Sequence, residues 1–242
     1  MRRKMQQLEF DFRQHGGKRK GAGRKPKNAE ARMPHRQRAM KKRGQPLLIT
    51  VRLADGLPSL RRCGALKLVL AALSASSDRH GMRIIHYTVQ DNHLHLLVEA
   101  DDRECVARGM NALLSPLARA LNKLWGRRGK VFPERYHDEV ISTPTQARNA
   151  LRYVLQNGKK HGVVPRNSID LCSSAPMFDG WMERPSIATT PIVATVAPAT
   201  TWLLSAGWRR HGLLDIHELP HTKQAGRPRT NLAHSSRRAT SR

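Results

Sequence analysis

The chain has 242 residues, with 44 Lys and Arg against 18 Asp and Glu, a formal net charge of +26. That balance excludes an enzyme with an ordinary, near-neutral surface and predicts a polyanionic partner. With 39% hydrophobic and only 5% aromatic residues, the composition suits one folded domain with unstructured ends better than two domains.

The cationic surplus is uneven. Residues 1–46 hold 16 Lys and Arg and 3 Asp and Glu, a surplus of 13 that is half of the total 26. Within this stretch His15 to Lys27, HGGKRKGAGRKPK, is dense in charge, Gly and Pro and has no apolar period, which predicts a flexible basic arm. Gly23-Arg24-Lys25-Pro26 resembles the core of a minor-groove AT-hook, making Arg24 and Lys25 candidate DNA contacts. A generic phosphate-binding tail is the alternative. Gly226-Arg227-Pro228-Arg229 is a second, weaker match.

From Leu47 onward the periodicity is ordered. Leu47 to Leu53 alternates as a strand, and Cys63 to Ser76 has helical spacing. Met82 to Gln90 and His93 to Glu99 are β-rich runs joined by the polar turn Gln90-Asp91-Asn92, an antiparallel hairpin. Glu104 to Trp125 places Val106, Met110, Leu113, Leu114, Leu117, Leu121 and Leu124 at helical spacing; Val131 to Ile141 predicts a strand and Thr145 to His161 a helix, with Thr143-Pro144 as its start. This order predicts an α+β fold, an antiparallel sheet flanked by helices. Residues 184–201, rich in Pro, Thr, Ala and Ser, are expected to be a linker, and 201–219 a short helical module. The domain plan is therefore a basic arm at 1–46, a catalytic core at 47–165, and a linker with a basic extension at 166–242.

Cys63, Cys105 and Cys172 lie far apart with no metal-binding spacing, which argues against a disulfide scaffold and for a reducing cytosolic compartment. No apolar run is long enough to span a bilayer, so no membrane partner is expected.

The chemistry concentrates in two segments. In HLHLLVE, His93 and His95 are two apart on a strand and project to one face with Leu97 and Glu99, while Leu94, Leu96 and Val98 face the other way. Two imidazoles make a partial metal site; an incidental surface pair is the alternative. On the helix at 145–161, Tyr153 and Asn157 are one turn apart with Asn149 a turn earlier, and a packed tyrosine with a helix-capping asparagine is the plain reading of that pair. A tyrosine hydroxyl can attack a phosphodiester and hold the new end covalently, conserving its bond energy for rejoining. Two histidines and an amide oxygen form an open site suited to Mg²⁺ or Mn²⁺, which would polarise a phosphate oxygen. Tyr136, in PERYHDEV, is the competing nucleophile, although strand alternation separates it from His137.

HYTVQDNHLHLLVE (86–99) resembles the histidine-hydrophobic-histidine segment of the HUH endonucleases, and ALRYVLQNGKKHGVV (150–164) resembles the tyrosine helix of their single-tyrosine transposase branch. The basic arm and TWLLSAGWRRHGL are similar to segments of the REP-associated tyrosine transposases. The resemblance implies a ferredoxin-like sheet (the HUH fold), His93, His95 and Asn157 as metal ligands, and Tyr153 as nucleophile. It implies cleavage and rejoining of single-stranded DNA near REP-like palindromic hairpins through a 5′-phosphotyrosine, by a monomer or homodimer associated with the nucleoid. Arg127, Arg128, Lys130, Lys159 and Lys160 are candidate phosphate contacts, with a solvated surface as the alternative. Two features depart from the family pattern: Asn157 is followed by Gly158 rather than proline, and Gln90-Asp91 replaces the usual methionine-proline. A catalytically silent DNA-binding regulator, and a hydrolytic nuclease using activated water, are the competing functions.

Overall fold

The computed structural model describes residues 45–160, 162–186 and 194–220, all within one unit, Gln37–Arg242. The basic arm with Arg24 and Lys25, and the second AT-hook-like match, lie outside the described residues.

Strands β1 (Leu47–Arg52), β2 (Asp78–Arg79), β3 (Met82–Val89), β4 (His93–Ala100) and β5 (His137–Val140) form one sheet in the order β2-β3-β4-β1-β5, every neighbouring pair antiparallel. Helix α1 (Cys63–Ala75) connects β1 to the hairpin, and α2 (Arg103–Leu124) connects the hairpin to β5. Apart from the short β2, this is the split β-α-β-β-α-β arrangement of a ferredoxin-like sheet, as the element order predicts.

Local chemistry explains most boundaries. Asp102 caps α2, its carboxylate accepting from the Cys105 amide at 2.7 Å, and Glu104 in the first turn suits the positive end of the helix dipole. Helix α3 (Pro144–Leu155) starts with a capping box: Thr143 accepts from the Gln146 amide while the Gln146 side chain accepts from the Thr143 amide, with Pro144 at the first position.

One sheet face is closed by α1 and α2. Ile49, Val51, Ile84, Leu94, Leu96 and Val98 pack there with Val69 and Leu73 of α1 and Leu113 and Leu117 of α2. The opposite face receives Ile85 and Leu97 from the sheet, Leu151 and Val154 from α3, and Phe178, Trp181, Leu204 and Trp208 from the segment after residue 165. A β-bulge between Ile84 and His86 turns the consecutive Ile85 and His86 to the same side, where His86 packs on Phe178 of the second core.

Four expectations are revised. The strand predicted over 131–141 forms only at His137–Val140; Val131 instead offers its carbonyl to the Ala54 amide, and Pro133 removes a ladder donor between them. The tyrosine helix is not continuous to residue 161. It ends at Leu155, and a single turn, α4 (Asn157–Lys160), follows. The helical module at 201–219 is two short pieces, α5 (Trp202–Ser205) and a 3-10 turn at Gly207–His211. The stretch expected to be a linker is partly integral: the Ala194 amide donates to the Tyr87 hydroxyl and the Ala197 amide to the Ile84 carbonyl. The Ala197 bond and the Thr88–Ser173 bridge cover part of the outer edge of β3, which would otherwise present unpaired backbone groups.

Candidate active site

The alternation of β4 sends His93 and His95 to the α3 side while Leu94 and Leu96 are fully buried on the other. Their rings lie 4.6 Å apart between centroids, edge to face. Each imidazole is oriented through Nδ1: Asn92 Oδ1 lies 2.8 Å from that of His93, and Thr50 Oγ1 2.9 Å from that of His95. A carboxamide oxygen only accepts, so Nδ1 of His93 donates to Asn92 Oδ1, the kind of hydrogen bond that orients metal-binding histidines. Thr50 is the cross-strand partner of His95 on β4 and of His137 on β5, so the three form a row across the sheet.

Helix α3 crosses this face. Its apolar stripe of Ala147, Leu151, Val154 and Leu155 buries against the second core, and the half-buried Tyr153 packs on the same cluster. The Tyr153 hydroxyl lies 3.2 Å from Nε2 of His95, with ring centroids 4.8 Å apart. A phenol from one element and paired imidazoles from another, far apart in sequence, thus share one site. Tyr136 belongs to the other side of the sheet: it packs against the α1–α2 core and lines a separate cavity of about 500 Å³ with Met110, Leu114 and Phe132.

Beyond Tyr153 the chain turns sharply. Asn157 is 0% exposed, and neither of its amide atoms has a hydrogen-bond partner among the described residues. A buried amide left in this way is unusual. Gly158 sits so close to its surroundings that a Cβ would come within 2.5 Å of Asp170 Oδ2 and 2.7 Å of Val164. Asp170 in turn forms a two-pronged ion pair with Arg61 at 2.7 and 3.0 Å. The glycine that departs from the family pattern is therefore required here by close approach rather than by backbone angle.

Sequence reasoning missed a set of contacts that hold this helix. Glu218 accepts from Arg148 at 2.8 and 3.0 Å and from Arg152 at 2.6 Å. Burial alone would raise the Glu218 pKa, but these hydrogen bonds and charges outweigh it and hold the carboxyl below the usual glutamate range. Gln156 donates to the Asp215 carbonyl at 2.8 Å, and the Lys159 ammonium donates to the Ile216 carbonyl. Residues on either side of Tyr153 and Asn157 are thus tied to 215–218. The (i, i+4) arginines at 148 and 152 were a visible signal, but no local pattern names a partner 66 residues or more away.

The candidate phosphate contacts are placed differently from one another. Lys159, 6% exposed, is turned inward, and burial lowers its pKa against the pull of Asp215 and Asp170. Lys160 is exposed, its Nζ 5.4 Å from the Tyr153 ring centroid. Arg128 and Lys130 are exposed in the loop after α2, whereas Arg127 donates to Asn122 at 2.8 Å. His86 is structural: half-buried, bonded to Ser174 at 3.1 Å and packed on Phe178, it has its pKa pushed by desolvation down to about 4 and stays neutral. Of the tryptophans after residue 165, Trp181 and Trp208 are core residues and Trp202 is 50% exposed under the Arg210 guanidinium.

Among the described residues no group of three or more His, Cys, Asp and Glu is arranged to hold a metal ion. A cation here would depend on His93, His95 and an amide. By donor type these residues suit a divalent cation: two imidazoles oriented through Nδ1 and an unpartnered buried amide. No described helix is long and apolar enough to cross a membrane.

No protein-family model and no curated protein matches the chain. Among solved structures it is similar to a REP-associated tyrosine transposase bound to a REP hairpin, at 18% identity over 55% of this chain and 76% of that one, with a TM-score of 0.43. It is also similar to a "putative transposase" from Deinococcus radiodurans R1, at 15% identity over 48% of this chain and 92% of that one, with a TM-score of 0.36.

Proposed function

We propose that the chain is a metal-dependent single-strand DNA endonuclease and transposase that cleaves and rejoins DNA beside palindromic hairpins, with Tyr153 as the nucleophile. The observation that carries this reading is the Tyr153 hydroxyl 3.2 Å from Nε2 of His95, whose ring lies against that of His93. Sequence order alone makes such a meeting improbable for groups 58 residues apart, and a nucleophile held within hydrogen-bond reach of an imidazole is a recurrent catalytic pairing.

The Tyr153 oxygen attacks the scissile phosphorus in line, forming a phosphotyrosine bond as the bond from phosphorus to the 3′ oxygen breaks. The phenolic proton passes to solvent, and a water proton completes the free 3′-hydroxyl. Rejoining reverses the exchange, so no nucleotide cofactor is consumed. His93 and His95, with the Asn157 amide, would hold a Mg²⁺ or Mn²⁺ ion, which supplies Lewis-acid stabilisation of the charge developing on phosphate. Asn92 and Thr50 keep the two imidazoles turned toward the site. A single-stranded substrate follows from the need for an extended, accessible backbone in the line of attack. Lys160, Arg128 and Lys130, with Arg24, Lys25 and the rest of the basic arm, are proposed to bind flanking phosphates.

The test is covalent capture. Labelled single-stranded hairpin DNA with Mg²⁺ or Mn²⁺ should give a protein-DNA adduct that survives denaturation. Tyr153→Phe should lower its yield by about 10³-fold or more, the scale on which loss of a covalent nucleophile is felt, while Tyr136→Phe leaves it intact. Binding without any adduct would favour a silent regulator, and free products without attachment would favour hydrolysis by water.

A further inference from the structure

A cleft of about 440 Å³ opens beside Tyr153, and the proposed chemistry as it stands gives it no occupant. It begins where the histidine row ends: Thr50, which touches His95, lines it, and so does His137, the partner of Thr50 on the next strand. The Tyr153 ring forms part of its wall, and Leu48, Val140 and Ala150 make it apolar. Clefts of this size, mostly apolar with a few fixed polar groups, are the usual form of a small-ligand site.

We propose that this cleft seats the base of the nucleotide bordering the scissile phosphate, so that cleavage is selective for the base at that position. The inference rests on the strand-cleavage reading above. A phosphate attacked by Tyr153 places its neighbouring nucleotide within one sugar of the phenol, and the cleft that shares the phenol as a wall is where that base can go. The tyrosine ring offers a stacking surface, which every base can use. Discrimination needs a directed polar group, and Asn149 is the candidate: its Oδ1 accepts from Arg152 at 3.0 Å, which orients the amide and leaves its NH2 as donor toward a base edge. Arg152 is itself fixed by Glu218, so the orientation of Asn149 is inherited from the clamp on α3. The exposed His137 and Lys160 at the same cleft suit the phosphates that enter and leave it.

The experiment uses the full chain and a pool of hairpin oligonucleotides with randomised single-stranded flanks, from which covalently captured strands are sequenced. Enrichment of one base at a position bordering the attacked phosphate is expected. An abasic site there should lower adduct yield about tenfold, a modest stacking contribution, relative to an abasic site several nucleotides away. Asn149→Asp, which exchanges a donor for an acceptor on an exposed turn of α3, should change the enriched base, and Ala150→Leu should remove the difference between natural and abasic strands. Adducts that form equally well with abasic and natural nucleotides at both bordering positions would overturn the cleft while leaving strand cleavage intact. An unchanged preference in Asn149→Asp would overturn the role given to Asn149. No adduct from any strand would overturn the cleavage reading, and this inference with it.

Discussion

The two faces of the sheet are built on different principles although they share the same five strands. The face covered by α1 and α2 is closed almost entirely by aliphatic side chains, with Leu94, Leu96, Val98 and Leu113 completely buried. On the face covered by α3 and the C-terminal segment, the buried set also includes Thr88, His95, Glu99, Arg152, Asn157 and Lys159. Burying polar groups costs free energy unless each is partnered. Asn157 apart, the second face meets much of that cost by recruiting residues distant in sequence: Glu99 receives hydrogen bonds from Thr200 and Thr201 as well as Arg83, and Arg152 donates to Glu218. The first face supplies cohesion, and the second holds chemistry in place.

The sharpest way to break this comparison uses one strand. Leu96→Ala, pointing into the aliphatic face, should cost about 2–5 kcal/mol of unfolding free energy, the usual range for a fully buried leucine. His95→Ala, one residue away, should cost about 1 kcal/mol, the net worth of a typical hydrogen bond, yet abolish covalent capture. Urea unfolding and the adduct assay on the same two proteins separate the roles; equal loss of stability in both would show that the faces are not distinct.

Asp170→Ala has an effect on stability of the same order as Leu96→Ala, without the complete loss of capture expected of His95→Ala. It would leave the Arg61 guanidinium, only 13% exposed, without its partner, and loss of one member of a buried ion pair costs about 3–5 kcal/mol. The effect should appear as a lowered urea midpoint with an unchanged slope. Gly158→Ala should follow, at about 1–3 kcal/mol, the common range for overpacking, because its methyl group would meet the Asp170 carboxylate and Val164. Adduct formation should fall with it, since Asn157 sits on the same turn; a variant of wild-type stability and activity would show that this turn does not need the close approach.

The smallest expected effect is pH-dependent. Because the folded-state pKa of Glu218 is depressed, its stabilisation is fully present above the unfolded glutamate value of about 4.3 and is lost as pH falls through the folded value. The difference in stability between wild type and Glu218→Gln should therefore be about 1.5 kcal/mol at pH 6, the scale of a hydrogen bond to a charged group, and shrink below pH 4. Thermal unfolding between pH 3 and 6 measures it. A difference that grows on acidification would contradict the clamp.

Alternation and helical spacing carried the first face and half of the second in the sequence itself. The hairpin, the paired histidines on one side of β4, the capping box before α3 and the apolar stripe that turns Tyr153 toward the sheet all follow from local periodicity, because a strand repeats every two residues and a helix every 3.6. The break at Gln156 was partly legible, since an asparagine that caps the helix end was one reading of that turn; the close approach of Gly158 to Asp170 was not, because it is made only when residue 170 is brought against the turn. The burial of Lys159 escaped notice for the same reason: a lysine in a basic run reads as solvated until a carbonyl from residue 216 comes to meet it.

Periodicity and charge by themselves determined the strongly cationic character, the antiparallel α+β sheet with its element order, and which side chains share a face. Only the tertiary structure decided that Tyr153 stands over His95, that Tyr136 lies behind the sheet, and that the described residues after 165 form a structural layer. The physical reason is range. Periodicity acts over a few residues through backbone geometry, whereas the partners of buried polar groups are chosen among residues brought together only when the whole chain has packed.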